Sequence, residues 1–252
     1  MHVEAIYFSP TGSTEKIVKL VAKEFGSYQE LDLSKREQGT AQDFSKEDLC
    51  IIGVPSYGGR VPAVALERME NFCGNGAKAV LVVVYGNRAY DDTLKELAAF
   101  VEEKGFCCAA AIAAVAEHSI MHQFATGRPD AADEKELAQF AQIILEKCNS
   151  GDVCEKLNLP GNFPYREYNG VPLKPKASGK CTGCGLCAKS CPVGAIPADN
   201  PKKTDKDVCI SCMRCIRICP SHARKVNSLM VKVASKKMEA ACAQQKKNEL
   251  LI

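Results

Sequence analysis

The sequence predicts an α/β fold with a doubly wound, five-strand parallel sheet, joined to a small α+β domain that is rich in cysteine. Three observations carry this prediction. Short apolar runs rich in β-branched residues alternate with segments of helical period over residues 1–150. A stretch rich in proline and glycine follows at 151–178 and has no period. Eight of the 15 cysteines then fall between positions 181 and 219.

Each predicted strand is one apolar run, and each predicted helix has apolar residues three and four positions apart. The predicted strands are Val3–Ser9, Tyr28–Leu33, Leu49–Val54, Ala79–Tyr85 and Phe106–Ala116. The predicted helices carry Ile17, Leu20, Val21 and Phe25, then Leu94, Leu97, Ala98 and Val101, and last Leu137, Phe140, Ala141 and Ile144. Gly26 and Gly105 follow the first two, where glycine commonly ends a helix.

The composition is that of a globular domain rather than a disordered or membrane-spanning chain. Of the 252 residues, 46% are hydrophobic and 25% are charged. The longest apolar run, Phe106–Ala116, is about half the length that a membrane-spanning helix needs, so no membrane insertion is expected. Because Met1 leads directly into a strand-like segment without a basic and apolar leader, we expect a cytoplasmic protein.

One cysteine motif occurs twice in the second domain. It reads C-x2-C-x2-C-x3-C-P at Cys181–Pro192 and again at Cys209–Pro220. This is the cysteine pattern of bacterial two-cluster ferredoxins. In these proteins three cysteines of the motif ligate one cluster and the fourth ligates the other cluster. The spacing therefore predicts two [4Fe–4S] clusters. The first would be held by Cys181, Cys184, Cys187 and Cys219, and the second by Cys209, Cys212, Cys215 and Cys191.

Zinc is the alternative metal for paired cysteines. A zinc site needs four ligands and does not call for a duplicated three-plus-one run, so iron–sulfur is favoured. The other seven cysteines follow no ligand spacing. Cys107 and Cys108 lie in an apolar strand, and we expect them to be small core residues.

Charge divides unevenly between the two parts of the chain. Residues 1–150 hold 15 Lys and Arg against 22 Asp and Glu, a net of −7, whereas residues 151–252 hold 18 against 8, a net of +10. Each oxidised [4Fe–4S] centre with its thiolates adds about −2, which lowers the second value to about +6. Lys180, Lys189, Arg214 and Arg217 lie beside the ligands and can offset this charge. Nucleic-acid binding is therefore not favoured.

The turn after the first predicted strand is rich in hydroxyls and small residues, with the sequence Ser9-Pro-Thr11-Gly12-Ser13-Thr14. Hydroxyl and backbone N–H groups at a helix N-terminus bind phosphate. The first βα loop of a doubly wound sheet is also a usual position for ligands. The turn lacks the lysine of a nucleoside triphosphate loop. An ordinary helix cap is the alternative interpretation of the same residues.

Residues 1–150 resemble the flavodoxin family in three loops, and the resemblance implies an FMN cofactor. The first loop resembles the FMN phosphate loop and supplies Ser9, Thr11, Gly12, Ser13 and Thr14. The second would lie along one side of the flavin ring and supplies Pro55, Ser56, Tyr57 and Gly58. The third supplies Gly86, Asn87, Tyr90 and Asp91, with Tyr90 in the slot of a ring-stacking aromatic. No tryptophan is present, so the stacking must differ from members that use one.

The order of the segments resembles the fused flavodoxin–ferredoxin proteins of anaerobic microbes. We expect an FMN-binding domain at 1–150, a connector at 151–178, a two-cluster domain at 179–227 and a basic, helical tail at 228–252. The aromatic residues of the connector suggest that it packs on a surface. His118 follows the fifth strand, and it would donate to the flavin, accept a proton or serve only as a capping residue.

The leading hypothesis is an electron-transfer protein that passes electrons between one FMN and two [4Fe–4S] clusters, with redox proteins as partners and no catalytic residue. A second hypothesis is a flavin-dependent reductase fed by the clusters, with His118 and Tyr90 near the substrate. A third is a flavodoxin-like scaffold that has lost FMN. Flavin and cluster absorbance together in the purified protein would exclude the third hypothesis.

Overall fold

Strands and helices alternate along the first part of the chain in the computed structural model, which describes residues 2–36, 41–150, 154 and 156–252. In order, the elements are β1 (His2–Tyr7), α1 (Ser13–Lys23), β2 (Tyr28–Asp32), β3 (Gln42–Asp43), β4 (Asp48–Pro55), α2 (Ala63–Met69), β5 (Phe72–Cys73), β6 (Lys78–Tyr85), α3 (Thr93–Glu103), β7 (Cys107–Val115) and α4 (Ala131–Ser150). The later elements are β8 (Lys176–Ala177), α5 (Leu186–Lys189), α6 (Arg214–Arg217), β9 (Arg224–Lys225), α7 (Ser228–Cys242) and β10 (Glu249–Leu251).

The main sheet has the strand order β10-β7-β6-β4-β1-β2. Its five strands from the first part of the chain are parallel, in the doubly wound order 2-1-3-4-5. The predicted α/β fold class is therefore confirmed. Each predicted strand is present with both ends within two residues of the observed ones.

The apolar strands are continuous because helices cover both faces of the sheet. Alternate residues of β6 show this directly. Leu81 and Val83 pack in one core cluster, with α3, whereas Val80 and Val82 pack in the other, with α1 and α4. Because both faces of the sheet are covered, the loops at the carboxyl ends of its strands are held in fixed positions. These loops form the candidate site.

Helix α1 lies unusually close to strand β4 because Gly53 has no side chain. A Cβ atom added at Gly53 would lie 2.2 Å from Cγ2 of Val18 and 3.2 Å from Cγ2 of Thr14. This close approach keeps the first turn of α1, with the hydroxyl-rich loop before it, against the sheet.

The C-terminal segment differs from the predicted helical tail. Only Ser228–Cys242 is helical, and Glu249–Leu251 returns to the first domain as β10, antiparallel to β7. Asn248 anchors this return: its side chain accepts a hydrogen bond from the Val115 amide at 2.9 Å and donates to Asp133 and Glu136. The sheet therefore has a sixth strand, and it covers the β7 edge that the sequence left open.

The connector packs on the first domain, and the cysteine-rich block docks beside it. The Asp92 carboxylate accepts hydrogen bonds from the backbone amides of Asn162 and Arg166 at 2.8 and 2.7 Å. The Arg214 guanidinium donates to the carbonyls of Ser9 and Pro10, both at 3.4 Å, which ties α6 to the first βα turn.

One cysteine prediction is wrong. Cys108 is buried in the core as expected, but Cys107 forms a disulfide with Cys154, 47 residues away in the sequence. Side chains of β7 point to alternate sides of the sheet, and Cys107 lies at the strand's first position, within reach of the connector. Separately, no helix in the described part of the chain is long and apolar enough to cross a membrane.

Candidate functional site

A cavity of about 140 Å³ lies at the carboxyl-terminal edge of the parallel strands. It shares Thr11, Ser13, Glu117 and Ser119 with an open cleft of about 600 Å³. Its walls come from the loops after β1, β4, β6 and β7, from the connector and from the cysteine-rich block. The lining residues are Pro10, Thr11, Ser13, Thr14, Pro55, Ser56, Tyr57, Gly58, Val84, Tyr85, Gly86, Ala116, Glu117, His118, Ser119, Ile120, Tyr168, Val171, Ile210 and Ser211.

The first predicted loop contributes Thr11, Ser13 and Thr14 to the cavity, at the start of α1. Gly12 lines the adjoining cleft and has a φ of 93°, which favours glycine. Ser9 does not line either space. Its hydroxyl accepts the Glu15 amide at 2.9 Å, so this residue shapes the turn rather than facing a ligand.

All four predicted residues of the second loop, Pro55, Ser56, Tyr57 and Gly58, line the cavity. The Tyr168 ring of the connector packs on Gly58, where an added Cβ would lie 2.2 Å from Cδ2 of Tyr168. Burial raises the pKa of Tyr57, and the nearby Cys212 thiol and Tyr168 hydroxyl raise it further. Tyr57 therefore lines the cavity and also lies near Cys212, one of the predicted cluster ligands.

The third loop behaves differently from the prediction. Gly86 lines the cavity, but Asn87, Tyr90 and Asp91 do not. The Tyr90 ring packs edge-on against Tyr85, and its hydroxyl donates to Glu249 at 2.8 Å. Tyr90 is therefore held in the core by the C-terminal strand and does not line this cavity.

The other two residues of that loop also have structural partners. Asn87 is buried, and its side chain donates to the carbonyls of Cys242 and Gln244 and accepts from the Lys246 amide. Asp91 pairs with Arg88 and with Arg166 of the connector. The loop thus fastens the connector and the C-terminal segment to the first domain.

His118, in the loop after β7, lines the cavity and has a defined hydrogen-bonding state. Its Nδ1 accepts from the amides of Ile120 and Met121 at 3.1 and 3.2 Å. Burial, and to a smaller extent the charge of His122, lowers the pKa of His118 to about 4. A ring that accepts at Nδ1 and stays neutral carries its hydrogen on Nε2. The ring packs on Gly86, where an added Cβ would lie 2.7 Å from Cδ2 of His118.

Tyr168, Val171, Ile210 and Ser211 are lining residues that the sequence did not indicate. They belong to the connector and the cysteine-rich block and reach the cavity only because these segments dock on the first domain. An aromatic residue in a connector rich in proline was the one available signal, and it did not specify a contact.

The eight predicted cluster ligands form two groups around two separate cavities. Cys209, Cys212 and Cys215 line one together with Cys191. Cys181, Cys184 and Cys187 line the other together with Cys219. Each fourth cysteine thus lies with the three cysteines of the other motif. In the described residues, no three His, Cys, Asp or Glu side chains are grouped as ligands of a single metal ion.

The two cysteine groups differ in their surroundings. Cys191 and Cys212 are buried, and Ile210 lines both their cavity and the first cavity described above. In the other group, Cys184 is exposed. Arg224 is buried between the two motifs and donates to Cys187 Sγ at 3.7 Å, which brings a positive charge to a thiol group.

Two family models match the chain. A flavodoxin model matches residues 6–124, and a 4Fe-4S dicluster domain model matches residues 180–223. The chain therefore carries a flavodoxin domain followed by a 4Fe-4S dicluster domain, which supports a fused flavodoxin/ferredoxin protein. The two domains imply a flavin and 4Fe–4S clusters, and a redox, electron-transfer protein.

Several solved structures are similar to the first domain. A flavodoxin from the domain Archaea is 14% identical with a TM-score of 0.43, over 59% of this chain and 99% of that one. Oxidised flavodoxin 1 from Bacillus cereus is 15% identical with a TM-score of 0.41, over 58% of this chain and 98% of that one. Rubredoxin oxygen:oxidoreductase from the anaerobe Desulfovibrio gigas is 17% identical with a TM-score of 0.40, over 59% of this chain and 36% of that one. No curated protein shows significant similarity to the chain.

Proposed function

We propose that this protein passes electrons between an FMN, held in the cavity at the sheet edge, and two [4Fe–4S] clusters, held by the two cysteine groups. One observation carries the proposal. The wall that closes the cavity on the side of the cysteine-rich block is formed by Ile210 and Ser211, and these residues stand between Cys209 and Cys212 in the chain. A flavin in the cavity and a cluster on Cys212 would therefore be neighbours.

The residues of the cavity fit FMN. Thr11, Ser13 and Thr14 offer hydroxyls at the N-terminus of an 11-residue helix, which suits a phosphate. Tyr57 and Tyr168 offer aromatic surface for a flat ring. In place of Tyr90, these two tyrosines are the proposed ring contacts.

The eight cysteine thiols fit two [4Fe–4S] clusters. Each cavity is bounded by four cysteines, three from one motif and one from the other, which is the ligand set of a two-cluster ferredoxin. When bound, FMN exchanges one or two electrons and each cluster exchanges one, so the flavin can link carriers of different type.

The chain's own residues position these groups and exclude water. The connector, through Tyr168 and Val171, covers the cavity, and Arg214 ties α6 to the phosphate loop. Two backbone amides bind the Nδ1 atom of His118 and leave its Nε2–H group available. This group can therefore donate a hydrogen bond into the cavity. No residue needs to act as an acid or base for electron transfer alone.

A flavin-dependent reductase is the second candidate function. The observation that favours it is the open cleft beside the cavity, which is large enough for a small molecule and contains Glu117 and His122. In that case the cleft would bind the substrate, and its reduced product would accumulate.

Anaerobic purification with quantitation of flavin and iron tests which groups are bound. The expected result is one FMN and about eight irons per chain, as two four-iron clusters require. Stopped-flow reduction at several dilutions then tests transfer between them. Since fusion raises the effective concentration to the millimolar range, the rate should not change with dilution. A rate that falls in proportion to protein concentration would contradict intramolecular transfer.

A further inference from the structure

One arginine side chain contacts both candidate cofactor sites. Arg214 stands between Cys212 and Cys215 in the second motif, and it lines the cavity of that cysteine group. Its guanidinium also donates to the carbonyls of Ser9 and Pro10, both at 3.4 Å. These two residues begin the hydroxyl-rich turn of the first domain. Arg214 therefore joins the proposed site of the second cluster to the proposed phosphate loop.

The charge of Arg214 has no counter-charge in the described part of the chain. None of the ion pairs there includes this residue, and its Nε atom is buried without a hydrogen-bond partner. A guanidinium stays protonated in proteins, so it is costly to bury one without a carboxylate or a full set of acceptors. An orphaned buried donor of this kind indicates a partner that the chain itself does not supply.

The proposed cofactors would supply negative charge on both sides of Arg214. An oxidised cluster with its four thiolates carries about −2, and the FMN phosphate is also an anion. The Arg214 amide donates a hydrogen bond to the Cys212 sulfur, which places this residue directly against a predicted ligand. Positive charge near a cluster stabilises its reduced, more negative state and so raises its reduction potential.

We propose that Arg214 is a positioning residue shared by the two cofactor sites. It holds the phosphate loop in place for FMN, and it raises the reduction potential of the cluster at Cys191, Cys209, Cys212 and Cys215. When an electron passes from the flavin to this cluster, the flavin loses one electron, the cluster gains one, and no bond forms or breaks. The charge of Arg214 favours transfer in this direction. This inference rests on the proposed function because it requires both groups to be bound.

Three variants of the full-length, cluster-loaded protein test this role. Arg214→Gln removes the charge and the paired hydrogen bonds, whereas Arg214→Lys keeps the charge and removes the planar fork of donors. Arg36→Gln is the matched control. Arg36 is exposed and also joins the first domain to the cysteine-rich block, by a hydrogen bond to the Ala188 carbonyl at 3.4 Å, but it lines neither cavity.

Two measurements are made on each variant under anaerobic conditions. A redox titration followed by EPR gives the reduction potential of each cluster. Titration of the flavin-free, cluster-loaded protein with FMN gives the flavin affinity. A residue with only a structural role would change the flavin affinity and leave the potentials where they are.

We expect Arg214→Gln to lower the equilibrium constant for reduction of one cluster by about tenfold, which is about 59 mV for one electron, and to leave the other cluster unchanged. FMN should bind about fivefold more weakly because its loop is no longer held. Arg214→Lys should keep the cluster potentials of the wild type and still weaken FMN by about threefold. Arg36→Gln should change neither property by more than about twofold, because its charge is screened by water and salt.

Weaker FMN binding in Arg214→Gln with both potentials unchanged would overturn the proposal, and so would a lower potential with unchanged FMN affinity. Equal effects in Arg36→Gln, or no effect in any variant, would overturn it as well. If Arg214→Gln does not assemble its clusters, Arg214→Lys decides, since FMN affinity equal to that of the wild type contradicts the proposed hold on the loop. The proposed function fails separately: a wild-type chain without flavin or iron removes the groups, whereas a loaded chain that is indifferent to these changes overturns only the role of Arg214.

Discussion

Two hydroxyls of the first βα turn, those of Thr11 and Thr14, line the cavity, and Thr14 is buried. If they bind the FMN phosphate, the double variant Thr11→Val, Thr14→Ala should weaken FMN by about 1–3 kcal/mol for each lost charged hydrogen bond. Titration of apoprotein with FMN measures this loss.

Tyr90→Phe is the matched control for flavin binding. It removes a hydroxyl that bonds Glu249 outside the cavity, so FMN affinity should stay the same while the free energy of unfolding falls by about 1 kcal/mol. If Tyr90→Phe weakened FMN and the threonine variant did not, the cavity would be assigned to the wrong residues.

His118 makes stability depend on pH, and the direction follows from burial. In the unfolded chain the imidazole takes a proton as pH falls through 6.5, whereas in the folded chain its pKa is lowered to about 4. The contribution of His118 to the free energy of unfolding is therefore complete above pH 6.5 and is lost as pH falls toward 4. Between about pH 7 and pH 5 this loss should amount to about 1–2 kcal/mol.

Denaturant unfolding of His118→Gln at each pH, compared with wild type, checks this dependence. The variant should lack this part of the pH slope, and the matched variant His2→Gln, at an exposed position, should keep it. An unchanged slope in His118→Gln would mean that the folded His118 takes up its proton as readily as the unfolded one.

At the scale of elements, the short helices α5 and α6 explain why the motifs exchange their fourth cysteines. Each helix carries the third cysteine of its motif and ends two residues before the fourth, which the following chain directs to the other cavity. The same local pattern used twice therefore interlocks the two halves of the block.

Cys191→Ala should consequently damage the second cluster first, and Cys212→Ala should do the same, because both cysteines line one cavity. Cys219→Ala should damage the first cluster. Iron content and low-temperature EPR distinguish the clusters, and Cys73→Ala, an exposed cysteine of the first domain, serves as the control. Loss of different clusters in Cys191→Ala and Cys212→Ala would show that each motif closes on its own iron centre.

At the scale of the whole molecule, the C-terminal segment stabilises the first domain across more than 100 residues of sequence. Asn248 is 5% exposed and satisfies the Val115 amide as well as two carboxylates. Asn248→Leu would leave the buried Val115 amide without its partner and would remove one donor from Asp133, which keeps Arg128, and one from Glu136. We expect it to lower the free energy of unfolding by about 2–4 kcal/mol.

Gln245→Leu, three residues earlier and exposed, should change the free energy of unfolding by less than about 0.5 kcal/mol. Anaerobic denaturation followed by circular dichroism compares the two variants. Equal effects would indicate that β10 does not contribute to the stability of the folded sheet.

The sheet and the cysteine motifs were predictable because each depends on residues close together in the chain. The apolar runs and their alternation with helical periods specify strands within about ten residues, and these became β1, β2, β4, β6 and β7. The cysteine spacing is likewise local, and the two ligand sets that it predicts each line one cavity; their ligation of clusters stays a prediction.

The loops that meet at the cavity could not be derived in that way. Tyr90 turns into the core because Glu249, 159 residues later, offers it a hydrogen bond, and Tyr168 reaches the cavity because the connector packs on Gly58. The Cys107–Cys154 disulfide and strand β10 likewise join segments that are distant in sequence. Local periodicity defines each element, but contacts between distant segments arise only when the whole chain packs. That packing is also what brings the cavity next to the cysteine group of Cys191, Cys209, Cys212 and Cys215.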